Sequence, residues 1–549
     1  MARVRVFTAV ATSLLVLIAA CTSTPSTPSP AASAAPTNKP VAVVRIATQQ
    51  QESSWNPWTY ISGYPGWSFL LLQFDTLMNL DLNSEPQPWL AKEVVASADS
   101  KTWTLTLATG VKWHDGQPFT ANDVKYTIEM FQKNVHGRFS TPLRDVERID
   151  VQAPDKLVIT LKGSKPGWRT SALSDVPMMP KHIWEAALAI NPDPKKFVDL
   201  KGNIGTGPYQ LVEYRPDQFY RFKANSEYFK GKPLVEEIAV PVVTDANATF
   251  SALKVGDLDA TVRSLAPELV KDFETVAGMK VARGPDYTSN ALWVNTERVT
   301  LNPKEVRQAI SLAIDRQRLV DQIHLGYATV GSLGFIHPEN AFANRDLKPE
   351  FNVAKANQLL DSIGATRGAD GIRVYKGQRF SYELLVLSAH GPLRLRQAEL
   401  ISQMLKEIGI TSTIKVMEFG AFNAVAWRDN DVRKGRDYDM AMNGWTAPVQ
   451  FEAGRLVEQV HSDGLIGSLN VYGFRSAAAD RLAEQLLNEG DPARRKQLAQ
   501  QMQALIADEL PIITTIFPDG LYAYRENVYG GWRFQKGLGI FQKNSFLPR

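Results

Sequence analysis

The chain has 549 residues, of which 44% are hydrophobic and 21% are charged, so it is long enough for two or three domains of a globular protein. Its formal net charge is +4 at pH 7, and removing residues 1–20 takes away Arg3 and Arg5 and leaves +2. A body this close to neutral argues against a nucleic acid as the partner.

The N-terminus predicts a secretion signal over residues 1–20. Arg3 and Arg5 precede an apolar stretch that starts at Phe7 and is too short for a stable membrane span. The stretch ends in Ile-Ala-Ala-Cys, which resembles a lipobox, and Cys21 is the only cysteine of the chain. We therefore expect a lipidated Cys21 that anchors an exported protein to a membrane. An ordinary secretory signal with a chance cysteine is the alternative.

Residues 21–41 predict a disordered tether. Ser, Thr, Pro and Ala dominate between Cys21 and Pro40, and no large apolar residue occurs there. Such a composition cannot bury a core. Without a second cysteine the body has no disulfide, so its stability has to come from large apolar cores.

The body opens with a predicted strand over residues 41–47, and a later run gives a strand, a turn and a capped helix. Residues 102–107 alternate Thr with Trp or Leu, the period of a half-buried strand. In the run KWHDGQPFTANDVKYTI, Thr120 occupies an N-cap position and Asp123 lies three residues later, close to a capping box. His114, beside the Asp-Gly turn of this run, is expected to be a structural hydrogen bonder.

Further elements alternate between strand and helix. The predictions are a hairpin after the GNIGTGPY turn at 202–209, a helix over 302–314 capped by Asn302, a β-α-β unit over 380–416, and a helix over 494–507 followed by a strand over 512–517. The glycines at 202–207 lack the strand-then-helix context of a phosphate-binding loop. The alternation predicts α/β domains with mostly buried sheets.

Five ordered segments carry a resemblance to a known family. KWHDGQPFTANDVKYTI resembles the signature of the extracellular solute-binding proteins of family 5, which serve peptide and oligopeptide ABC importers. Four further segments are similar to that family in order and spacing: GTGPYQLVEY, VRQAISLAIDRQRLVDQIHLGYA, QAELISQMLKEIGI and DYDMAMNGW. The resemblance extends from about residue 42 to the C-terminus.

The resemblance implies an α/β fold of the periplasmic-binding-protein class II, a clamshell with two lobes, a hinge and an inserted domain. With the N-terminal segments, the expected organisation is a signal peptide (1–20), a lipidated cysteine with its tether (21–41), a discontinuous domain I (42–77, 201–297 and 505–549), domain II (78–200) and domain III (298–504). The ligand would lie between domains I and III, and contacts from both lobes would favour closure.

The implied function is that of a monomeric receptor which captures peptides or oligopeptides and delivers them to an ABC permease. The expected location is the outer face of the cytoplasmic membrane or the periplasm. The resemblance and the residues around the family's pocket segments give these expected ligand contacts: Ser62, Gly63, Tyr64, Trp67, Phe419, Met442, Asn443, Trp445 and Thr446.

Two departures from the peptide-binding pattern leave the cargo open. Pro448 stands where peptide binders carry the Asp that pairs with the peptide's α-ammonium, and Met442 stands where some carry an arginine. Glu452 is a candidate replacement for the missing acid. The chain also has 12 tryptophans, whose faces stack on sugar rings. A neutral oligosaccharide or another non-peptide solute is therefore the alternative ligand.

The sequence gives less support to an enzyme than to a binding protein. Ser251 and Lys254 match a Ser-x-x-Lys nucleophile motif, but no Ser-Asp-Asn or Lys-Thr-Gly accompanies them, and they fall on an apolar-striped helix. The seven histidines are scattered without a His-Glu-x-x-His motif. We therefore predict a binding protein without enzyme activity, cofactor or metal site.

Overall fold

A computed structural model of the chain describes residues 39–48, 56–58, 66–134, 136, 138–197, 203–388 and 391–548. These residues lie in one compact unit, Asn38–Arg549. The predicted signal, Cys21, the predicted tether as far as residue 38 and the predicted contacts Ser62, Gly63 and Tyr64 lie outside the described residues, whereas Val41, the last residue of the predicted tether, begins a strand. Over the described part, no helix combines the length and apolarity that a membrane crossing requires.

The described strands and helices alternate along much of the chain. The strands are β1 (Val41–Ala47), β2 (Met78–Leu80), β3 (Pro86–Pro88), β4 (Ala91–Ala96), β5 (Thr102–Leu107), β6 (Val146–Ala153), β7 (Lys156–Leu161), β8 (Tyr209–Arg215), β9 (Phe219–Ala224), β10 (Val235–Pro241), β11 (Ala260–Thr261), β12 (Met279–Pro285), β13 (Asn290–Val294), β14 (Ala328–Val330), β15 (Thr366–Arg367), β16 (Arg373–Tyr375), β17 (Gln378–Arg379), β18 (Ser381–Leu387), β19 (Thr411–Met417), β20 (Met440–Asn443) and β21 (Ile512–Arg525). The helices are α1 (Gly66–Gln73), α2 (Ala121–Lys133), α3 (Ser140–Leu143), α4 (Lys181–Ile190), α5 (Ala246–Val255), α6 (Val270–Glu274), α7 (Lys304–Ala313), α8 (Arg316–Ile323), α9 (Val353–Ser362), α10 (Gly391–Glu407), α11 (Phe419–Ala426), α12 (Arg455–Val460), α13 (Ala477–Asn488) and α14 (Pro492–Glu509).

One large mixed sheet organises most of the body. Its strand order is β19-β18-β20-β13-β21-β11-β1-β10-β9-β8, and β12 and β14 also pair with β21. The long strand β21 belongs to both halves of this sheet, because its start pairs with β13 and its end pairs with β12. The two halves are thus joined through a single strand, which places a junction in the middle of the molecule.

Apolar side chains cover both faces of each half of the sheet. In β13, Ala291 and Trp293 point to the core that α11–α14 complete, while Leu292 and Val294 point to the core beneath α7–α10. The period of two in a strand explains why neighbours in β13 lie in different cores. The α/β class and the buried sheets that the sequence predicts are confirmed.

The run around residues 112–128 forms the predicted strand, turn and capped helix. Strand β5 alternates buried and half-buried residues, and Asp123 accepts a hydrogen bond from the backbone N–H of Thr120 at 2.8 Å. The strand β5 lies in a separate sheet of order β4-β5-β7-β6. The predicted N-terminus of helix α2 is therefore confirmed.

His114 is the structural hydrogen bonder that the sequence indicates. Its ring Nε2 bonds to the carbonyl oxygen of Gly207 at 2.9 Å, and the N–H of Gly205 donates to Nδ1 at 3.1 Å. Burial lowers the pKa of His114, so the ring is neutral at pH 7. This histidine ties the turn of the 112–128 run to the GNIGTGPY turn.

Several element boundaries differ from the prediction by a few residues, and two of these differences have an identifiable cause. Pro303, not Asn302, is the N-cap of helix α7, and the Asn302 side-chain amide donates to the carbonyl of Thr296 instead. The strand predicted over 512–517 continues to Arg525, because its second half pairs with the distant strand β12. Long-range pairing of this kind leaves no signal in the local sequence. The division of the body into domains I, II and III stays a prediction.

Candidate ligand-binding site

One opening lies where the chain passes between the two halves of the large sheet. Residues 286–289 connect β12 to β13, and they run beside the middle of β21, since Pro285 pairs with Asp519 and Asn290 with Ile516. A cavity of about 290 Å³ opens at this crossing. Clefts between two lobes are a common position for small-molecule sites.

Contacts from Gln450 and Trp445 fix the crossing segment 286–289. Tyr287 has a left-handed backbone with φ +61°, and its carbonyl accepts a hydrogen bond from Gln450 Nε2 at 2.7 Å. The N–H of Ser289 donates to the carbonyl of Trp445 at 2.9 Å, and the N–H of Trp445 donates to Ser289 Oγ at 2.9 Å. A left-handed tyrosine is strained, and strain of this kind concentrates at functional segments.

A hydrogen-bond chain extends from Arg394 along the cavity wall. The Arg394 guanidinium donates to Oδ1 of Asn290 and to Oδ1 of Asn443, the latter at 3.4 Å. Asn290 Nδ2 donates to Gln397 Oε1 at 3.2 Å, and Gln397 Nε2 lies 2.7 Å from His324 Nε2. Burial lowers the pKa of His324 to about 4, so its neutral ring accepts from Gln397.

Charged groups of both signs line this cavity. Arg394 is only 8% exposed, and burial lowers the pKa of its guanidinium to about 9, which leaves it positive at pH 7. On the crossing segment, burial raises the pKa of the Asp286 carboxyl to about 6, with repulsion from Asp519 acting in the same direction. Asp519 itself forms an ion pair with Arg283 at 2.6 Å. The cavity thus presents one cation, that of Arg394, and one carboxylate that is not in an ion pair, that of Asp286.

An aromatic cluster packs behind the residues Asn443–Trp445. Trp445 stacks on Trp293 with ring centres 5.1 Å apart and meets Trp427 edge-on at 5.6 Å. Its indole N–H donates to the hydroxyl of Tyr472 at 2.8 Å. Trp445 is 9% exposed, so most of its surface is committed to this cluster.

The predicted contact residues occupy different parts of the molecule. Asn443 reaches the cavity wall through Arg394, and Trp445 supports the crossing segment through Ser289. Met442 is fully buried in the core beneath α7–α10, and Phe419 is 59% exposed at the start of α11. Thr446 follows Trp445 and is exposed.

Trp67 lies away from this cavity. It is 4% exposed and lines a separate void of about 20 Å³, which is the room of roughly one water molecule. The Arg138 guanidinium stacks over its ring at 4.1 Å. The structure therefore brings Asn443 and Trp445 to the candidate site and places Met442 and Trp67 in packed interiors.

Glu452, the candidate replacement for the missing acid, is already paired. Its carboxylate bonds to the Arg495 guanidinium, and its side chain is 14% exposed. The backbone of Gly167 approaches so closely that a Cβ there would lie 2.5 Å from the Glu452 carboxyl carbon. A carboxylate held in this way is not available to a ligand amine.

Sequence reasoning missed the charged lining residues Asp286 and Arg394. Arg394 and Gln397 extend the buried stripe of helix α10, which continues at Ile401 and Leu405, toward its N-terminus. A charged residue on the inward face of an amphipathic helix is a signal that could have found Arg394. No comparable local pattern marks Asp286, because its position depends on the pairing of β12 and β13 with β21.

The alternative catalytic pair shows no catalytic arrangement. Ser251 is exposed on helix α5, and Lys254 pairs with Asp272 at 3.5 Å. Within the described ranges, no group of three or more His, Cys, Asp or Glu side chains is placed to hold a metal ion.

Comparisons with known proteins agree with this architecture. The model of the bacterial extracellular solute-binding proteins, family 5 (middle), matches residues 85–464. The oligopeptide-binding protein AppA of Bacillus subtilis is 25% identical over 474 residues, which cover 84% of this chain and 82% of AppA.

Two solved structures support the fold. AppA of Bacillus subtilis in complex with a nonapeptide aligns with a TM-score of 0.73 at 22% identity, over 93% of this chain and 100% of that chain. NikA of Brucella suis in complex with Fe(III)-EDTA aligns with a TM-score of 0.77 at 22% identity, over 92% of this chain and 100% of that chain. The predicted class II clamshell is thereby confirmed. Because the family model covers more than half of its length, the chain belongs to the bacterial extracellular solute-binding proteins of family 5.

Proposed function

We propose that this protein is the substrate-binding lipoprotein of an ABC importer, which captures peptides or oligopeptides outside the cytoplasmic membrane and delivers them to the permease. The observation that carries the proposal is the charged cavity at the crossing between the two halves of the sheet. AppA of Bacillus subtilis is an oligopeptide-binding protein, which supports a peptide cargo. Cys21 would hold the protein at the membrane through its lipid, with residues 22–41 as the tether.

Lobe closure would couple binding to delivery. Segments 286–289 and 517–519 are the chain crossings near the cavity, so they are the expected hinge. Among the ion pairs that already join the proposed domains I and III are Arg396–Glu268 at 3.8 Å and Lys536–Glu339 at 3.3 Å. A ligand that contacts both lobes would add to these contacts and favour the closed form, which the permease would recognise.

Native mass spectrometry of the full-length chain, purified in detergent from its own cells, would identify a co-purifying ligand. Titration with peptide pools, followed by tryptophan fluorescence, would then test direct binding. We expect a bound peptide mass and a saturable fluorescence change, because Trp445 supports the crossing segment. No response to any pool, together with saturation by an oligosaccharide, would contradict the peptide proposal.

A neutral oligosaccharide is the second candidate ligand. Pro448 replaces the ammonium-binding acid of the peptide pattern, and Trp445, which packs with Trp293 and Trp427, contacts the crossing segment through Ser289. Aromatic faces of this kind can stack on sugars. A thermal-shift screen with a glycan panel tests this candidate, since tight binding raises the unfolding midpoint. A flat panel beside a peptide hit would remove it.

A further inference from the structure

Arg394 is a buried cation without a carboxylate partner in the described structure. It lines the cavity, and its described side-chain partners are the amide oxygens of Asn290 and Asn443. A neighbouring arginine on the same helix, Arg396, forms an ion pair with Glu268 on the other side of the cavity. Burial of a charge that has no counter-charge is costly, so Arg394 is poorly explained as a packing residue.

Arg316 shows what a structural buried arginine looks like in this protein. Its guanidinium donates to the carbonyl oxygens of Thr514 and Ser311 and to the Ser311 hydroxyl, all within 2.9 Å. These acceptors enclose the group inside the core, and Arg316 does not border the cavity. Arg394 instead borders open space in which a ligand carboxylate could be held by the fork geometry of the guanidinium.

Asp286 has the opposite charge and likewise lacks an ion-pair partner among the described residues, although its carboxylate accepts a hydrogen bond from the Thr288 side chain. No Lys, Arg or His nitrogen of the described residues lies within ion-pair distance of its carboxylate. The nearest candidate along β12, Arg283, pairs with Asp519 instead. Unpaired charges that line a cleft, with perturbed protonation, are typical of binding sites.

We propose that Arg394 and Asp286 determine the charge specificity of this site, and that the ligand is a zwitterionic solute. Its carboxylate binds Arg394, and its ammonium or guanidinium group binds Asp286. Asp286 thereby supplies the acid that Pro448 cannot supply. This inference rests on the proposed function, because it assigns the ligand chemistry of the same cavity.

Isothermal titration of the full-length chain with alanine peptides of two to five residues tests the proposal. Each peptide is used free, N-acetylated and C-amidated. For the peptide length that binds best, either cap should weaken binding about tenfold or more, since each removes a charge-assisted contact. In Asp286→Asn the effect of acetylation should disappear while the effect of amidation remains. In Arg394→Gln the pattern should be reversed.

Matched controls use exposed residues of the same types. Arg318→Gln and Asp346→Asn should keep the wild-type preference for both free ends, because these side chains are exposed and lie outside the cavity lining. Arg394→Lys and Asp286→Glu retain the charges and should retain both preferences at lower affinity. If Asp286→Asn or Arg394→Gln fails to fold, the charge-retaining variants and the binding of capped peptides to the wild-type chain still test the proposal. Unchanged end preferences in Asp286→Asn and Arg394→Gln would overturn the proposal.

A second probe set separates this inference from the peptide proposal. L-arginine, L-lysine and 4-aminobutanoate are zwitterions that are not peptides, and maltotriose is neutral. If these zwitterions bind with the same dependence on Asp286 and Arg394 while peptides do not, the charge assignment stands and the peptide cargo fails. If peptides bind regardless of their caps, the peptide cargo stands and the charge assignment fails. If only maltotriose binds, or no zwitterionic probe binds, the charge assignment is overturned.

Discussion

At the level of single residues, the buried carboxylate of Asp286 lowers the stability of the ligand-free protein at neutral pH. Burial raises its pKa to about 6, above the 3.8 of an ordinary Asp, so the folded state holds the proton more tightly than the unfolded state. The contribution of Asp286 to the free energy of unfolding is therefore largest below pH 4 and decreases as the pH rises through 6. Residues that serve binding often reduce stability in this way.

Replacing Asp286 with Asn should therefore stabilise the empty protein at pH 8 and have little effect at pH 4. We expect the unfolding midpoint at pH 8 to rise by roughly 1–3 °C. Calorimetry at the two pH values measures this difference. The exposed Asp346→Asn should change neither midpoint, and a lower midpoint for Asp286→Asn at pH 8 would refute a desolvated carboxylate at this position.

At the scale of elements, the close approach of β20 to the crossing segment supports the geometry of the cavity. A Cβ on Gly444 would lie 1.7 Å from the carbonyl oxygen of Ser289, so no side chain fits there without moving the backbone. Gly444→Ala should shift segment 286–289 and weaken ligand binding about tenfold or more, as an overpacked site loses roughly 1–3 kcal/mol. Titration with the ligand found by mass spectrometry measures the loss.

Gly420→Ala is the matched control for this prediction. A Cβ at Gly420 in α11 meets nothing within 4 Å, so this variant should bind as the wild type does. Equal affinities for Gly444→Ala and the wild type would mean that the approach of β20 does not position the site.

The capping box of α2 is a structural element away from the cavity. Asp123 accepts from the N–H of Thr120 at 2.8 Å and from the N–H of Lys181 at 3.2 Å. Asp123→Ala should lower the free energy of unfolding by about 1–2 kcal/mol, because two part-buried backbone donors lose their acceptor. Urea unfolding measures this change. Glu129→Ala on the exposed face of the same helix should cost only about 0.5 kcal/mol or less, and ligand affinity should stay unchanged in both.

At the scale of the whole molecule, the anchor and the binding body are expected to be separable. The body belongs to an extracellular family, and the lipid on Cys21 is proposed from the sequence alone. Cys21→Ala should move the protein from the membrane pellet to the soluble fraction while its ligand affinity stays that of the wild type. Fractionation of cells followed by titration tests both parts. Persistence in the pellet after salt and carbonate washes would contradict a lipid anchor at Cys21.

The local sequence was a good guide wherever a pattern covers neighbouring residues. Alternation over 102–107 and the cap at Thr120 each describe interactions within a few residues, and both are found in the structure. The cap predicted at Asn302 was wrong by one residue, because the Asn302 amide donates to the carbonyl of Thr296 and Pro303 is the N-cap. The residues of the binding site were harder to predict from the sequence, because strands and a helix from distant parts of the chain bring Asp286, Asn290 and Arg394 together.

Residue patterns that are local in the chain were enough to predict the class of the protein, since the order of the motifs, the α/β alternation and the family all follow from them. Which side chains face the cavity depends instead on how distant segments pair in three dimensions. The tertiary structure placed Met442 in a core, paired Glu452 with Arg495, and left Arg394 and Asp286 at the opening. The physical reason is that β21 pairs with both halves of the sheet, and this long-range pairing sets the crossing where the charges meet.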